Sequence, residues 1–328
     1  MKKIPLVIVL ITVSVIMTVF SCKKNDSTTT TTIPSTPANE AALQTTLSQN
    51  ANDQTTIQND EDFIESDVQK AVLAANNYSG INPTNNIDFN TLPNAVIDMS
   101  SLKSSKLVKI LYKSDATING ITKSGTISIQ LINGTKWRDQ GAKIVETLDS
   151  VKITYFGITR IYQSTRYITN VGGGLSYLVN SSFPFTYTIH SYGTVTFQDN
   201  TVASYWIARR NTLKNTSDTL TIPTIFNSNG DTTVNGDNCT MGGSSRTKKT
   251  FRVKDAQTYA ASIVCGYQKP YLGIRTFIAG DSVNITFGVN SNGVQSAQGA
   301  ATPCDSLYGY KIEWTKLNGT LGSKVIGY

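Results

Sequence analysis

From about residue 106 onward, apolar and polar residues alternate one for one. Thr126-Ile127-Ser128-Ile129-Gln130-Leu131 shows the alternation, and so does Val151-Lys152-Ile153-Thr154-Tyr155. Phe185-Thr186-Tyr187-Thr188-Ile189, Val195-Thr196-Phe197 and Val283-Asn284-Ile285-Thr286-Phe287 repeat it. A period of two places one set of side chains on each face of a strand. The expectation is antiparallel strands with one apolar face and one wet, Thr-rich face. Asn-Gly pairs, the strongest short-range hairpin signal, punctuate the runs at Asn119, Asn133, Asn229, Asn235, Asn292 and Asn318. About ten to thirteen strands at this spacing predict an all-β body, either an antiparallel β-sandwich or a large curled meander. Residues 100–226 and 248–328 are the two β-rich regions. The Gly/Asn/Ser/Thr-rich stretch 227–247 reads as a connection between two sheets or subdomains.

Upstream the pattern changes. Ile64, Val68, Ala71, Val72 and Ala75 recur at helical spacing, with acidic residues in the first turn. This predicts one amphipathic N-terminal helix over 61–78, its apolar face on the body and its acidic face in water. Residues 22–60 are rich in Thr, Gln and Asn and poor in apolar side chains. That composition predicts a disordered tether. The first 21 residues have the layout of a signal peptide: Lys2 and Lys3, a 17-residue apolar run over 4–20, then Ser21 and Cys22. The run is shorter than the roughly 20 residues of a spanning helix. Val19-Phe20-Ser21-Cys22 resembles a bacterial lipobox, which implies a thioether-linked lipid on Cys22. Two or three acyl chains, at about 0.8 kcal/mol per buried methylene, would anchor the chain stably in membrane lipid.

Composition narrows the functional classes. The 328 residues include only 16% charged side chains and one histidine, His190. That argues against helical bundles, basic nucleic-acid domains and multi-histidine metal sites. No phosphate-binding glycine loop is present, and no cofactor or metal is expected. Charge is divided along the chain. Residues 22–98 hold ten acids and three bases, whereas residues 99–328 hold twelve acids and 24 bases. A basic body invites an anionic glycan or lipid head groups. The densest clusters are Lys103, Lys106, Lys109 and Lys113, and Arg246, Lys248, Lys249, Arg252 and Lys254, of which the second is the candidate binding site. The other reading is a solvated surface that discourages strand-edge pairing. The acidic segment could also fold back and neutralise the body.

No catalytic constellation emerges. Asp139, Glu146, Asp149, Asp199 and Glu313 are the acids available for paired-carboxylate chemistry, but their spacing singles out no pair. His190, the sole candidate base, sits in a strand pattern. Asp231 and its neighbours read as Asx-turn chemistry rather than a calcium loop. The tyrosines and Trp137, Trp206 and Trp314 are either core and cross-strand pairs or platforms for sugar rings. With Cys22 lipidated, three thiols allow one bond. Cys265–Cys304 is the preferred pairing, because Cys265 ends an apolar run and Cys304 lies in the following connection. Cys239 could pair instead, or no bond could form.

Several segments bear a family likeness. Gly120-Ile121-Thr122-Lys123-Ser124-Gly125-Thr126-Ile127 resembles a hairpin of a loose group of Bacteroidota-type lipoproteins, in which a lipobox signal peptide precedes a β-rich body. Ser204-Tyr205-Trp206, Ser245-Arg246 with Phe251, and the stretch from Pro303-Cys304-Asp305 to Trp314 fit the same group. Together they span roughly residues 110–317. The resemblance implies compartment and fold, namely a lipid-anchored protein of the cell envelope at the outer membrane, and carries no activity. A structural or ligand-binding β body is the leading expectation. An envelope or polysaccharide hydrolase and an accessory subunit of an outer-membrane assembly are the alternatives.

Overall fold

The computed structural model describes residues 35–75, 92, 95–113, 117–118, 120–155, 157–176, 178–180, 182–215, 225–235, 238–262, 265, 269–295 and 307–328. The chain is an antiparallel β protein wrapped on one long helix, so the curled meander holds rather than the sandwich. Helix α1 (Pro37–Ala74) opens on Thr36, whose hydroxyl accepts from the Asn39 N–H at 3.2 Å. Pro37 occupies the first turn, where a missing donor costs nothing, and Glu40 adds favourable charge there. At about 1.5 Å per residue the helix is roughly 57 Å long.

Among the described residues fifteen strands follow, nearly all in chain order. They are β1 (Ala95–Asp98), β2 (Leu107–Tyr112), β3 (Thr117–Ile118), β4 (Ile121–Asn133) and β5 (Lys143–Tyr155). Next come β6 (Ile158–Asn170), β7 (Phe185–Phe197), β8 (Val202–Lys214), β9 (Ile225–Gly230) and β10 (Cys239–Ser244). The last are β11 (Thr250–Ser262), β12 (Pro270–Ala279), β13 (Asp281–Val289), β14 (Gly309–Thr315) and β15 (Leu321–Gly327). They form one sheet in the order β1-β2-β4-β5-β6-β7-β8-β10-β11-β12-β13-β14-β15. Strand β3 pairs with β4, while β9 pairs with both β8 and β11.

The helix lies inside the curl of this sheet. Asp53, Gln54 and Thr55 are all buried, as are Asp60, Glu61 and Asp62, and again the last four helical residues. Successive residues of a helix point about 100° apart, so runs of buried neighbours require walls on several sides. The walls come from strands far apart in the sheet. Tyr112 of β2, Arg166 of β6, Arg209 of β8, Arg275 of β12 and Tyr310 of β14 all touch α1. Ile64, Val68 and Val72 join the apolar core built from inward strand residues such as Val108, Ile127, Ile144 and Ile189.

Two boundaries differ from the sequence expectation. The helix starts at Pro37, not at residue 61, so residues 37–60 are helical where composition pointed to a tether. Some of their polar side chains are held by the sheet and its turns, Asp60 by Arg160 and Asp53 by Arg246, a stabilisation that composition does not register. The acidic face also points into the protein rather than into water. Likewise, residues 227–247 do not separate two sheets. They supply most of β9 and all of β10, which pair with β8 and β11 and make the sheet continuous. Asn229-Gly230 therefore ends a strand instead of forming a hairpin turn. Gly134, Gly293 and Gly319, by contrast, take the positive φ of turns.

Candidate functional site

Strands β6 to β12 carry eight Lys and Arg residues but a single acidic residue, Asp255. The pleat divides the bases equally. Arg160, Arg166, Arg209 and Arg275 share the inward face, whereas Arg210, Lys214, Arg252 and Lys254 alternate with inward residues and face out.

The inward four are matched by α1. Arg160 donates through Nε and Nη2 to Asp60, and the Tyr162 hydroxyl donates to the same carboxylate. Arg166 lies 3.2 Å from Glu61 and 2.8 Å from Glu65, and also meets Glu146 of β5 at 2.9 Å. Arg209 pairs with Asp62 at 2.9 Å. Arg275 takes Asp255 at 2.6 Å and donates to Gln58 of the helix. Burial pushes the Glu146 carboxyl well above its ordinary range and also raises Glu65, against the opposing pull of Arg166. The acidic segment thus does fold back and neutralise the body's interior. This cluster is sealed: Arg166, Glu61 and Glu146 have no exposed surface. Glu146 is accordingly a structural partner and has no access to a substrate.

The outward face is different. Tyr192 of β7 stands opposite Trp206 of β8, Trp206 opposite Gly242 of β10, and Gly242 opposite Arg252 of β11. A Cβ on Gly242 would lie 2.5 Å from Trp206 Cε2, so the indole lies over bare backbone, which only glycine permits. Tyr167 pairs with His190, which makes it a diagonal neighbour of Tyr192 on the same face. Tyr192 is 58% exposed and Tyr167 46% exposed. Three aromatic rings therefore share an outer surface with threonines of β6 to β8 and with Ser204. Arg252 lies at one end of the registered row, and Arg210 and Lys254 lie further along their strands. Trp137 and Trp314, by contrast, belong to the core.

The five-residue basic cluster is not one patch. Arg246 turns inward from the β10–β11 turn, bonding Asp53 through Nε and Nη2 and Asp199 at 3.1 Å, with its guanidinium 3.8 Å from the Phe197 ring centre. Burial raises Asp53, against the opposing pull of Arg246. Lys248 donates to the Val202 carbonyl, and Lys249 is exposed on the same turn. Arg252 and Lys254 alone of the five join the outer strand face. Sequence proximity grouped residues that the turn and the pleat then separate.

The remaining candidates take local roles. His190 Nε2 lies 2.8 Å from Asp231 Oδ2. Asp231 accepts from the N–H and hydroxyl of Thr233, an Asx turn. Burial tends to raise the Asp231 carboxyl, but Thr233 and His190 outweigh it and hold the group low. Asp139 caps the N–H groups of Thr135 and Lys136, Asp199 caps Thr201, and Glu313 pairs with Lys311 at 3.0 Å. Asp149 is exposed on β5. Cys265 is half of a disulfide, and Cys239 is a buried thiol outside any disulfide. Cys304 and Cys22 lie outside the described residues. Set against known protein families, curated proteins and solved structures, the chain matches none.

Proposed function

We propose that the chain is a lipid-anchored cell-envelope protein whose β body binds an anionic glycan along its outer face. The observation that carries the glycan reading is the outward row of Tyr192, Trp206 and Arg252 in register across four strands. Pyranose rings present C–H faces that stack on flat aromatic rings, while their hydroxyls reach the flanking Thr and Ser side chains. Arg210, Lys214, Arg252 and Lys254 complement carboxylate or sulfate groups on such a chain. The only acid of these strands, Asp255, is buried on the opposite face. An extended polymer suits a row several strands wide better than a compact lipid head group. Support for the anchor comes from the sequence: the basic start, the short apolar run and the lipobox ending in Cys22. The likeness to Bacteroidota lipoproteins favours the outer membrane as its location.

Full-length protein in detergent should bind polygalacturonate with an affinity that falls steeply as salt rises, because exposed charges are screened beyond about 10 Å at 0.1 M. Tyr192→Ala and Arg252→Gln should each weaken binding without moving the melting temperature. Equal retention of both variants, or salt-dependent binding to anionic vesicles but not to the polysaccharide, would overturn the glycan reading. Replacement of Cys22 by Ala should leave the protein without lipid and outside the detergent phase. Unchanged partitioning of that variant would refute the anchor.

A further inference from the structure

A cleft of about 360 Å³ opens where the middle of α1 meets the turns at one end of the sheet. Its volume falls within the usual range of small-molecule sites, roughly 300–1,000 Å³. Its lining combines two kinds of group. Aromatic rings come from Phe63 of the helix, Tyr155 at the end of β5, Phe197 at the end of β7, and Tyr310 and Tyr328 near the last two strands. Between the rings lie two guanidinium–carboxylate pairs, Arg160 with Asp60 and Arg246 with Asp53.

The pairs decide the chemistry. Each base is matched by a helix acid, and Arg246 also pairs with Asp199, so the wall offers no uncompensated positive charge to an anion. Hydrogen-bonding capacity nevertheless remains. Arg160 is 5% exposed and commits only Nε and Nη2 to Asp60, which leaves its Nη1 donors uncommitted among the described residues. Asn52 accepts from the Tyr310 hydroxyl at 3.2 Å through Oδ1, which leaves its Nδ2 donors. Thr56 adds a hydroxyl to the same wall. A ligand suited to this lining accepts hydrogen bonds from these donors, can donate to the Thr56 hydroxyl, needs no charge of its own, and offers apolar faces to the rings.

We infer that this cleft is a binding site for a neutral sugar of one or two pyranose rings, separate from the outer face. The inference does not depend on the outer-face reading, since no outer-row residue lines the cleft.

The test uses full-length protein in detergent with maltose, cellobiose and N,N′-diacetylchitobiose as probes, followed by titration calorimetry and saturation-transfer NMR. At least one should bind saturably, with an affinity insensitive to salt. Thr56→Trp, which fills the cleft, and Tyr155→Ala, which removes a ring at its rim, should each weaken that binding about tenfold or more, a change of about 1.4 kcal/mol. Tyr192→Ala should leave it unchanged. No saturable binding by any of the three sugars would overturn the inference. So would unaltered binding in both cleft variants, or binding lost with Tyr192→Ala alone. If Thr56→Trp fails to fold, Tyr155→Ala on the rim decides the outcome.

Discussion

Arg166 of β6 donates to Glu65 of α1 at 2.8 Å, across 101 residues of sequence. The same guanidinium faces Glu61 and Glu146, so one cation stands among three buried carboxylates. Such a cluster adds little net stability relative to an apolar core, yet removing one member leaves unmatched buried charge. Arg166→Met should therefore cost about 3–5 kcal/mol in urea unfolding. A loss below about 1 kcal/mol, the range of exposed pairs, would show that the helix is not held by this cluster.

Three carboxylates around one arginine also predict how stability responds to pH. Burial raises the Glu146 carboxyl from its ordinary 4.5. A raised carboxyl binds its proton more tightly in the folded state than in the unfolded one. Its stabilising contribution is then complete below the ordinary value and is lost as pH rises through the folded one. Glu146→Gln fixes the neutral form. Relative to the parent, this variant should be of similar stability near pH 4 and should gain as pH increases. Melting temperatures measured across that range give the difference directly. A difference that is flat, or that falls with pH, would mean Glu146 is ionised throughout.

The sheet was legible in the sequence and the first two thirds of the helix was not, for one physical reason. Strand alternation is local, so Thr126 to Leu131 announces β4 unaided. Ile64, Val68 and Val72 likewise reveal the last third of α1. Residues 37–60 carry only a sparse stripe, Leu43, Leu47, Ala51 and Ile57, set among polar residues whose burial depends on partners elsewhere, such as Asp60 with Arg160. A signal did exist on the other side of the contact. Arg160, Arg166, Arg209 and Arg275 fall in phase with buried Tyr162, Ile168, Ile207 and Phe277. Arginines on an apolar face require buried acids, and the acid-rich segment before residue 98 was the available source. The outer row was hidden for a different reason. Tyr192, Trp206 and Gly242 lie on three strands, and only their register brings them side by side.

The half-cystine at Cys265 leads to a prediction about its partner. Cys239 is buried in β10 as a thiol, and a lipidated Cys22 has no sulfhydryl to offer. On the proposed lipidation of Cys22, Cys304 is the expected partner. Closing a loop of about 40 residues restricts the unfolded chain by about 4 kcal/mol in the entropy model. A non-reducing peptide map should link the peptide containing Cys265 to that containing Cys304. Cys304→Ser should lower the melting temperature, and reductant should have no further effect on that variant. A Cys265–Cys239 link in the map would contradict both the pairing and the buried thiol.

Arg246 separates a role in folding from a role in binding. It lies in a basic stretch, which by itself suggests a solvated or ligand-facing surface. Yet its side chain is 19% exposed and grips Asp53 of α1 in a two-pronged bond while covering the Phe197 ring. Arg246→Gln removes the charge and the fork, leaving the buried Asp53 beside a neutral amide. Unmatched charged groups of this kind cost about 1–3 kcal/mol or more. Lys249, three residues away and exposed, should change stability by no more than about 0.5 kcal/mol when replaced by Gln. Polysaccharide binding should show the opposite order. Arg246→Gln should retain it, because the side chain faces the cleft, whereas Arg252→Gln should weaken it at unchanged melting temperature. If Arg246→Gln melted like the parent and lost the polysaccharide, the inward latch would be wrong and the whole basic stretch would belong to the binding face.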